Sequence, residues 1–296
     1  MDDQSAQRPI AATAIEDRIA RDLRKREWLL ETIERHRALS PTASLIERRA
    51  GLSRQEFLDR YYAANRPVIL TGEMADWPAL TRWTPDYLAQ RVGGQIIEFQ
   101  GQRTGNARFE MEKDAHRREA PFDAFIEMIK RPGAGNDAYI TAYNSARNAA
   151  ALSILDSDLG FHEKFLTRAV TQPNGMIWIG PAGTVTSLHH DLTNNLIAQL
   201  VGRKQFKILP ASEVGHVYNT THVFSDIGDL DDPLLDRARF ARLRGARMYD
   251  ITLNAGEMIF MPIGWWHQVR ALDFSVTLTY TNFLWPNDAH QSYPSD

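Results

Sequence analysis

Thr184-Val185-Thr186-Ser187-Leu188-His189-His190-Asp191 reads as a β-strand that runs out into three polar residues. Residues 195–202 (NLIAQLVG) and 204–210 (KQFKILP) follow at once, each a short apolar run closed by a turn residue. Outward from this centre the same texture covers 138–143 (AYITAY), 175–180 (GMIWIG), 248–253 (MYDITL), 257–262 (EMIFMP), 265–272 (WWHQVRAL) and 274–285 (FSVTLTYTNFLW). Nine such runs imply a sandwich or barrel. Their connections are short, with room for a crossover helix only around 229–243, so the sheet is expected to be mainly antiparallel.

The front of the chain is mixed α and β. Residues 1 to about 13 are polar and read as a loose tail, after which Ile15, Ile19, Leu23, Leu30 and Ile33 recur at helical spacing among Arg and Glu. That pattern is an amphipathic helix, docked either on the domain or on a second subunit. Ser53 with Glu56 forms a capping-box signature for a helix that Arg66-Pro67 ends, before the strand-like Val68-Ile69-Leu70. Thr84 with Pro85 opens another helix that Gly93-Gly94 stops, and a third spans about 121–130. We divide the chain into a tail and helix over 1–45 and one domain over 46–296, its barrel core at about 137–286.

Composition narrows the chemistry. The chain has 296 residues, 34 basic and 37 acidic side chains and a formal net charge of −3, so no global field attracts a polyanion, and nucleic acid has no support as a partner. There is no cysteine, so any metal rests on His and carboxylate ligands. The acidic N-terminus does not read as a signal peptide and no run reaches membrane-spanning length, from which we expect a soluble, cytoplasmic protein without membrane contact.

In the strand 184–191 side chains alternate, so His189 and Asp191 share one face while His190 points away. His267 lies in a later strand just after the turn Pro262-Ile263-Gly264, and barrel closure is what brings it opposite that pair. Two imidazoles and one carboxylate on one side of a metal leave open positions, the pattern of non-haem iron oxygenases. For His267 the alternative is a packed core histidine. In the following strand Lys204, Phe206 and Ile208 share a face, so Lys204 either snorkels to water or meets an anion inside; its apolar neighbours favour the anion.

The stretches HHDLTNNLIAQLVGRKQFKILP and GEMIFMPIGWWHQV, with RPVILTGEMADWPAL and WTPDYL nearer the front, resemble the cupin-like JmjC-type 2-oxoglutarate oxygenases. The likeness is strongest to the branch with the asparaginyl hydroxylase that acts on the hypoxia-inducible factor, and it covers most of the chain after about residue 45. It implies a double-stranded β-helix, the jelly-roll or cupin barrel, with N-terminal and flanking α-helices. It also implies a dioxygenase using Fe(II), 2-oxoglutarate as co-substrate and dioxygen, with succinate and CO2 as co-products. Matched position by position, His189, Asp191 and His267 correspond to the iron ligands and Lys204 to the lysine that pairs with the distal carboxylate of 2-oxoglutarate. Thr186 and Tyr139 match hydroxyls that hold the same carboxylate; Thr186 has the wrong parity against His189, so a bulge is required between them. Asn195 and Asn282 match polar residues near the metal-binding end of the co-substrate, and each equally fits an ordinary strand or turn amide.

By analogy the substrate expected is a protein or peptide side chain, hydroxylated rather than demethylated. The alternatives are a small molecule, an RNA base, a metal-binding cupin without oxygen chemistry, and a silent interaction module. The resembled hydroxylase dimerises through helices beyond its barrel, where this sequence has only PNDAHQSYPSD after Trp285. That dimer mode is expected to be absent, which leaves the N-terminal helix as the candidate homodimer surface.

Overall fold

The computed structural model describes residues 7–168 and 175–294. Two six-stranded sheets form the barrel. The first runs in the order Arg48–Ala50, Val68–Thr71, Glu257–Met261, Asn195–Val201, Ser275–Tyr280, Met176–Gly180. The second runs Tyr249–Leu253, Lys204–Leu209, Trp266–Ala271, Val185–His189, Phe224–Ser225, Asn219–Thr221. Every pairing is antiparallel except that of Arg48–Ala50 with Val68–Thr71. The fold is a mainly β jelly roll with flanking helices.

Alternation along the strands decides what lies between the sheets. Ile69, Ile197 and Ile259 of the first sheet meet Phe206, Ile208 and Leu253 of the second in an interior cluster. Their neighbours Val68, Leu70, Leu196, Ala198, Met258 and Phe260 face outward, where Phe57, Leu88, Phe122 and Phe125 of the flanking helices cover them. The first sheet is thus buried on both faces, which is why its strands read as continuous apolar runs. The outer face of the second sheet, with Leu188, Leu209 and Trp266, lies under Val217, Ile227, Leu230 and Phe240 of the long connection.

Three sequence readings need correction. Residues 138–143 do not form a strand: Tyr139 and Ile140 make isolated bridges to Gln100 and Ile179, and a 3-10 turn Ala142–Asn144 follows. The cause is local, since Asn144 Oδ1 accepts from the Thr141 backbone N–H and hydroxyl and turns the chain into the helix Ser145–Leu152. The crossover-length region 229–243 forms turns that end in the 3-10 segment Ala241–Gly245. The N-terminal helix already begins in the expected tail and spans Gln7–Arg37, while residues 1–6 of that tail lie outside the described residues. Among the described residues no helix is long and apolar enough to cross a membrane.

Candidate metal and co-substrate site

The strands Val185–His189 and Trp266–Ala271 are neighbours, with His189 directly paired to His267, and Asp191 follows two residues past the end of the first. Farther along, Val269 pairs with Thr186, so two residues of one strand span three of the other. The extra residue in Ser187-Leu188 is the bulge that parity demanded, and it turns both Thr186 and His189 into the barrel. The turn before His267 is fixed to the other ligand-bearing segment. Gly264 N–H donates to Asp191 O at 3.2 Å. Ile263 N–H donates to Asn194 Oδ1 at 2.9 Å, and Asn65 Nδ2 donates to Ile263 O at 3.0 Å.

One ligand atom from each of His189, Asp191 and His267 lies within 4.8 Å of the others. His189 Nε2 is 3.8 Å from Asp191 Oδ1, and His267 Nε2 is 3.5 Å from Asp191 Oδ2. Both Nδ1 atoms are engaged behind the site, His189 at 2.7 Å from Ser187 O and His267 at 2.9 Å from Trp265 O. With Nδ1–H donating to a carbonyl, each ring presents the Nε2 lone pair to the shared point. Burial, and then the neighbouring His189, pull His267 down to a pKa of about 4, so its imidazole is neutral and ready to ligate. The amide of Asn195 donates to Asp191 Oδ2 and sets the carboxylate plane. His190 is turned away, buried edge-on against Trp266 with ring centroids 4.7 Å apart.

Behind the triad is a cavity of about 280 Å3, lined among others by Thr186, Asn195, Lys204, Val269, Thr277 and Thr279. Lys204 is only 3 % exposed, and its Nζ donates to Tyr139 Oη at 3.0 Å. Thr186 hydrogen-bonds the same phenol. No carboxylate among the described residues pairs with this ammonium, and burial draws its pKa down to about 7. Burial pushes the Tyr139 hydroxyl well above its usual value, so it remains a neutral donor. Gly180 makes room for that ring, because a Cβ there would lie 2.6 Å from Tyr139 Cδ2.

Of the expected site residues, Thr186, Tyr139, Asn195, Lys204 and the triad share this cavity, and Asn282 does not. Asn282 turns to the backbone of Thr167, its side-chain Nδ2 donating to Thr167 O and its main-chain carbonyl accepting from Thr167 N–H at 2.8 Å. Sequence reasoning missed the inward row Thr277, Thr279 and Thr281, although the alternation in SVTLTYT displays it. It also missed Asn65 and Asn194, whose contacts come from distant chain segments and leave no local signal.

A double-stranded β-helix with two imidazoles and a carboxylate at one end defines a metal-binding cupin. Residues 53–287 match the family model described as "Cupin-like domain", and the chain belongs to that family. It is 29% identical over 259 residues to "Lysine-specific demethylase JMJ30" of Arabidopsis thaliana, covering 86% of this chain and 57% of that protein. It is 28% identical over 238 residues to "Lysine-specific demethylase 8" of Xenopus tropicalis, covering 77% of this chain and 50% of that one. A third relative, "tRNA wybutosine-synthesizing protein 5" of Gallus gallus, is 26% identical over 259 residues, at 82% and 77% coverage. The chain thus spans about half the length of the two demethylases. The JmjC members of this family use Fe(II) and 2-oxoglutarate with dioxygen, and the donor set here fits that metal. The names of these relatives do not single out the asparaginyl hydroxylase branch.

Proposed function

We propose that this chain is an Fe(II)- and 2-oxoglutarate-dependent dioxygenase that hydroxylates a C–H bond of a protein or peptide side chain. The single observation that carries this reading is Lys204, a buried ammonium that has no anionic partner among the described residues and lies in the same cavity as the triad. An uncompensated buried cation is costly, and a dicarboxylate that also reaches the metal relieves that cost.

When bound, iron and 2-oxoglutarate would use dioxygen to decarboxylate the keto acid oxidatively, to succinate and CO2, with the second oxygen atom going to the substrate. The chain's own residues do the rest. Lys204, Tyr139 and Thr186 take the far carboxylate, the two Nε2 atoms and Asp191 hold the metal, and Asn195 keeps Asp191 in register. Trp178, Met176 and Val269 wall the cavity and limit water. Asn282 takes no part in this reading, so Asn282→Ala should leave 2-oxoglutarate affinity unchanged in a calorimetric titration that detects loss in Tyr139→Phe, where one hydrogen bond to a charged group, about 1.5 to 3 kcal/mol, is removed.

Hydroxylation as the outcome rests on the likeness of the His189–Pro210 and Gly256–Val269 segments to the asparaginyl hydroxylase branch. Demethylation is the second reading, favoured by two relatives that are named lysine-specific demethylases. The same oxidation gives it when the attacked carbon sits on nitrogen, because the product then sheds formaldehyde. Peptide, nucleic-acid and metabolite pools incubated with the iron-loaded protein and 2-oxoglutarate separate these readings. A gain of one oxygen on a peptide with matching succinate is expected. Formaldehyde with loss of a methyl would replace hydroxylation by demethylation, and stimulation only by RNA or metabolites would overturn the peptide assignment.

Co-substrate affinity should depend on pH. The free site holds Lys204 with a pKa of about 7, whereas the bound carboxylate favours its charged form, so binding above pH 7 must take up a proton. The dissociation constant for 2-oxoglutarate is therefore expected to rise about tenfold per pH unit above 7 and to be flat below it. Calorimetry in buffers of different ionisation enthalpy reads the proton uptake directly, and none at pH 8 would rule this out.

A further inference from the structure

The helix Gln7–Arg37 leaves an apolar stripe in solvent. It packs against the turn Ala211–His216, and its end is pinned where Glu34 meets Arg247 at 3.5 Å. Along its length Ile15, Ile19, Leu29 and Ile33 are 60%, 54%, 52% and 39% exposed. With Asp22 and Arg26 they occupy positions 15, 19, 22, 26, 29 and 33, a ladder of alternating steps of four and three. That is the a/d seam of a coiled coil, and nothing among the described residues covers it.

The ladder is a palindrome. Turned about a two-fold axis at residue 24, Ile15 meets Ile33 of a second copy, Ile19 meets Leu29, and Asp22 meets Arg26, with each contact repeated in reverse. Such a surface is complementary to itself, which is what an isologous dimer requires. The two charged positions also choose the direction. In a parallel pair Asp22 would face Asp22 and Arg26 would face Arg26, whereas the antiparallel pair makes two ion pairs at the centre of the seam and fixes its register. The 31-residue helix is about 46 Å long, and in the antiparallel arrangement the two domain contacts, made around Glu27 to Glu34, lie toward opposite ends of the paired helices.

We propose that this helix is a homodimerisation arm, pairing antiparallel with the same helix of a second copy through the seam from Ile15 to Ile33. The test is sedimentation equilibrium of the full chain and of two charge reversals. The parent is expected to dimerise at micromolar concentration. Asp22→Arg places four like charges in the seam, as does Arg26→Asp, and each should weaken self-association at least tenfold. An equimolar mixture of the two variants restores every ion pair and should form a one-to-one heterodimer.

Orientation is read separately, since the chain has no cysteine of its own. Ile15→Cys mixed with Ile33→Cys should cross-link, and neither variant alone should. A parent that stays monomeric at tens of micromolar overturns the proposal, whether its stripe is merely solvated or serves a different protein. Failure of the mixture to associate, or cross-linking of Ile15→Cys with itself, also overturns it.

Discussion

Lys204→Met is expected to cut 2-oxoglutarate affinity by two orders of magnitude or more and, at the same time, to make the protein harder to unfold. Removing one side of a buried ion pair costs about 3 to 5 kcal/mol, which corresponds to a loss of roughly 10^2 to 10^3.5 in binding. Iron affinity should change little, because the ammonium is not a ligand. Without co-substrate the sign reverses. The buried ammonium has a pKa of about 7 against an ordinary value of 10.5, so the unfolded chain holds its proton more tightly and folding is penalised.

The penalty is complete below pH 7 and fades as pH rises toward 10.5, and the stability gained by Lys204→Met should fade over the same window. At neutral pH the variant should melt several degrees higher than the parent, since each kcal/mol moves the midpoint of a chain this size by about 2 to 4 °C. Added 2-oxoglutarate should stabilise the parent and not the variant. Thermal scans with and without the keto acid at pH 7 and pH 9 check all three. A variant that binds the keto acid as tightly as the parent would take away the observation on which the proposed activity rests. Lys204→Arg keeps the charge but brings a longer planar fork, and it is expected to misplace the keto acid rather than restore full activity.

The second large effect is on the metal. His189→Ala, Asp191→Ala and His267→Ala each remove one of three converging ligand atoms, and each should abolish iron-dependent turnover with the fold retained. His190→Ala is the internal control. It leaves a hole beside Trp266 and should lower stability by a few kcal/mol, yet iron binding should persist because its ring faces away from the triad. Iron titration of the four variants decides the matter. Loss of iron in His190→Ala with retention in His189→Ala would exchange the roles of the two neighbours.

Strand parity carried most of what the sequence could tell. It put Lys204 on the inner face of KQFKILP, separated His189 from His190, and required a bulge between Thr186 and His189, where the structure has one. The same parity, run from Thr277 through Thr281, sets Asn282 on the outer side, and matching by resemblance alone obscured this. The strand read at 138–143 failed because a side-chain contact from Asn144 to Thr141 outcompeted the sheet, although Tyr139 still reaches Lys204 from its single bridge. The clamp that Asn65 and Asn194 place on the turn before His267 joins segments far apart in the chain, and no periodicity reports such contacts. The N-terminal helix was legible as amphipathic, but only the structure shows that its apolar ladder from Ile15 to Ile33 is left uncovered.

The most direct test is succinate production from 2-oxoglutarate by the purified chain, measured with and without Fe(II) and dioxygen beside the Asp191→Ala variant. Formation of succinate that needs both iron and oxygen, and that vanishes in Asp191→Ala, is the expected result. Binding of 2-oxoglutarate with no oxygen-dependent succinate under any substrate pool, or succinate formation that survives Asp191→Ala, would contradict it.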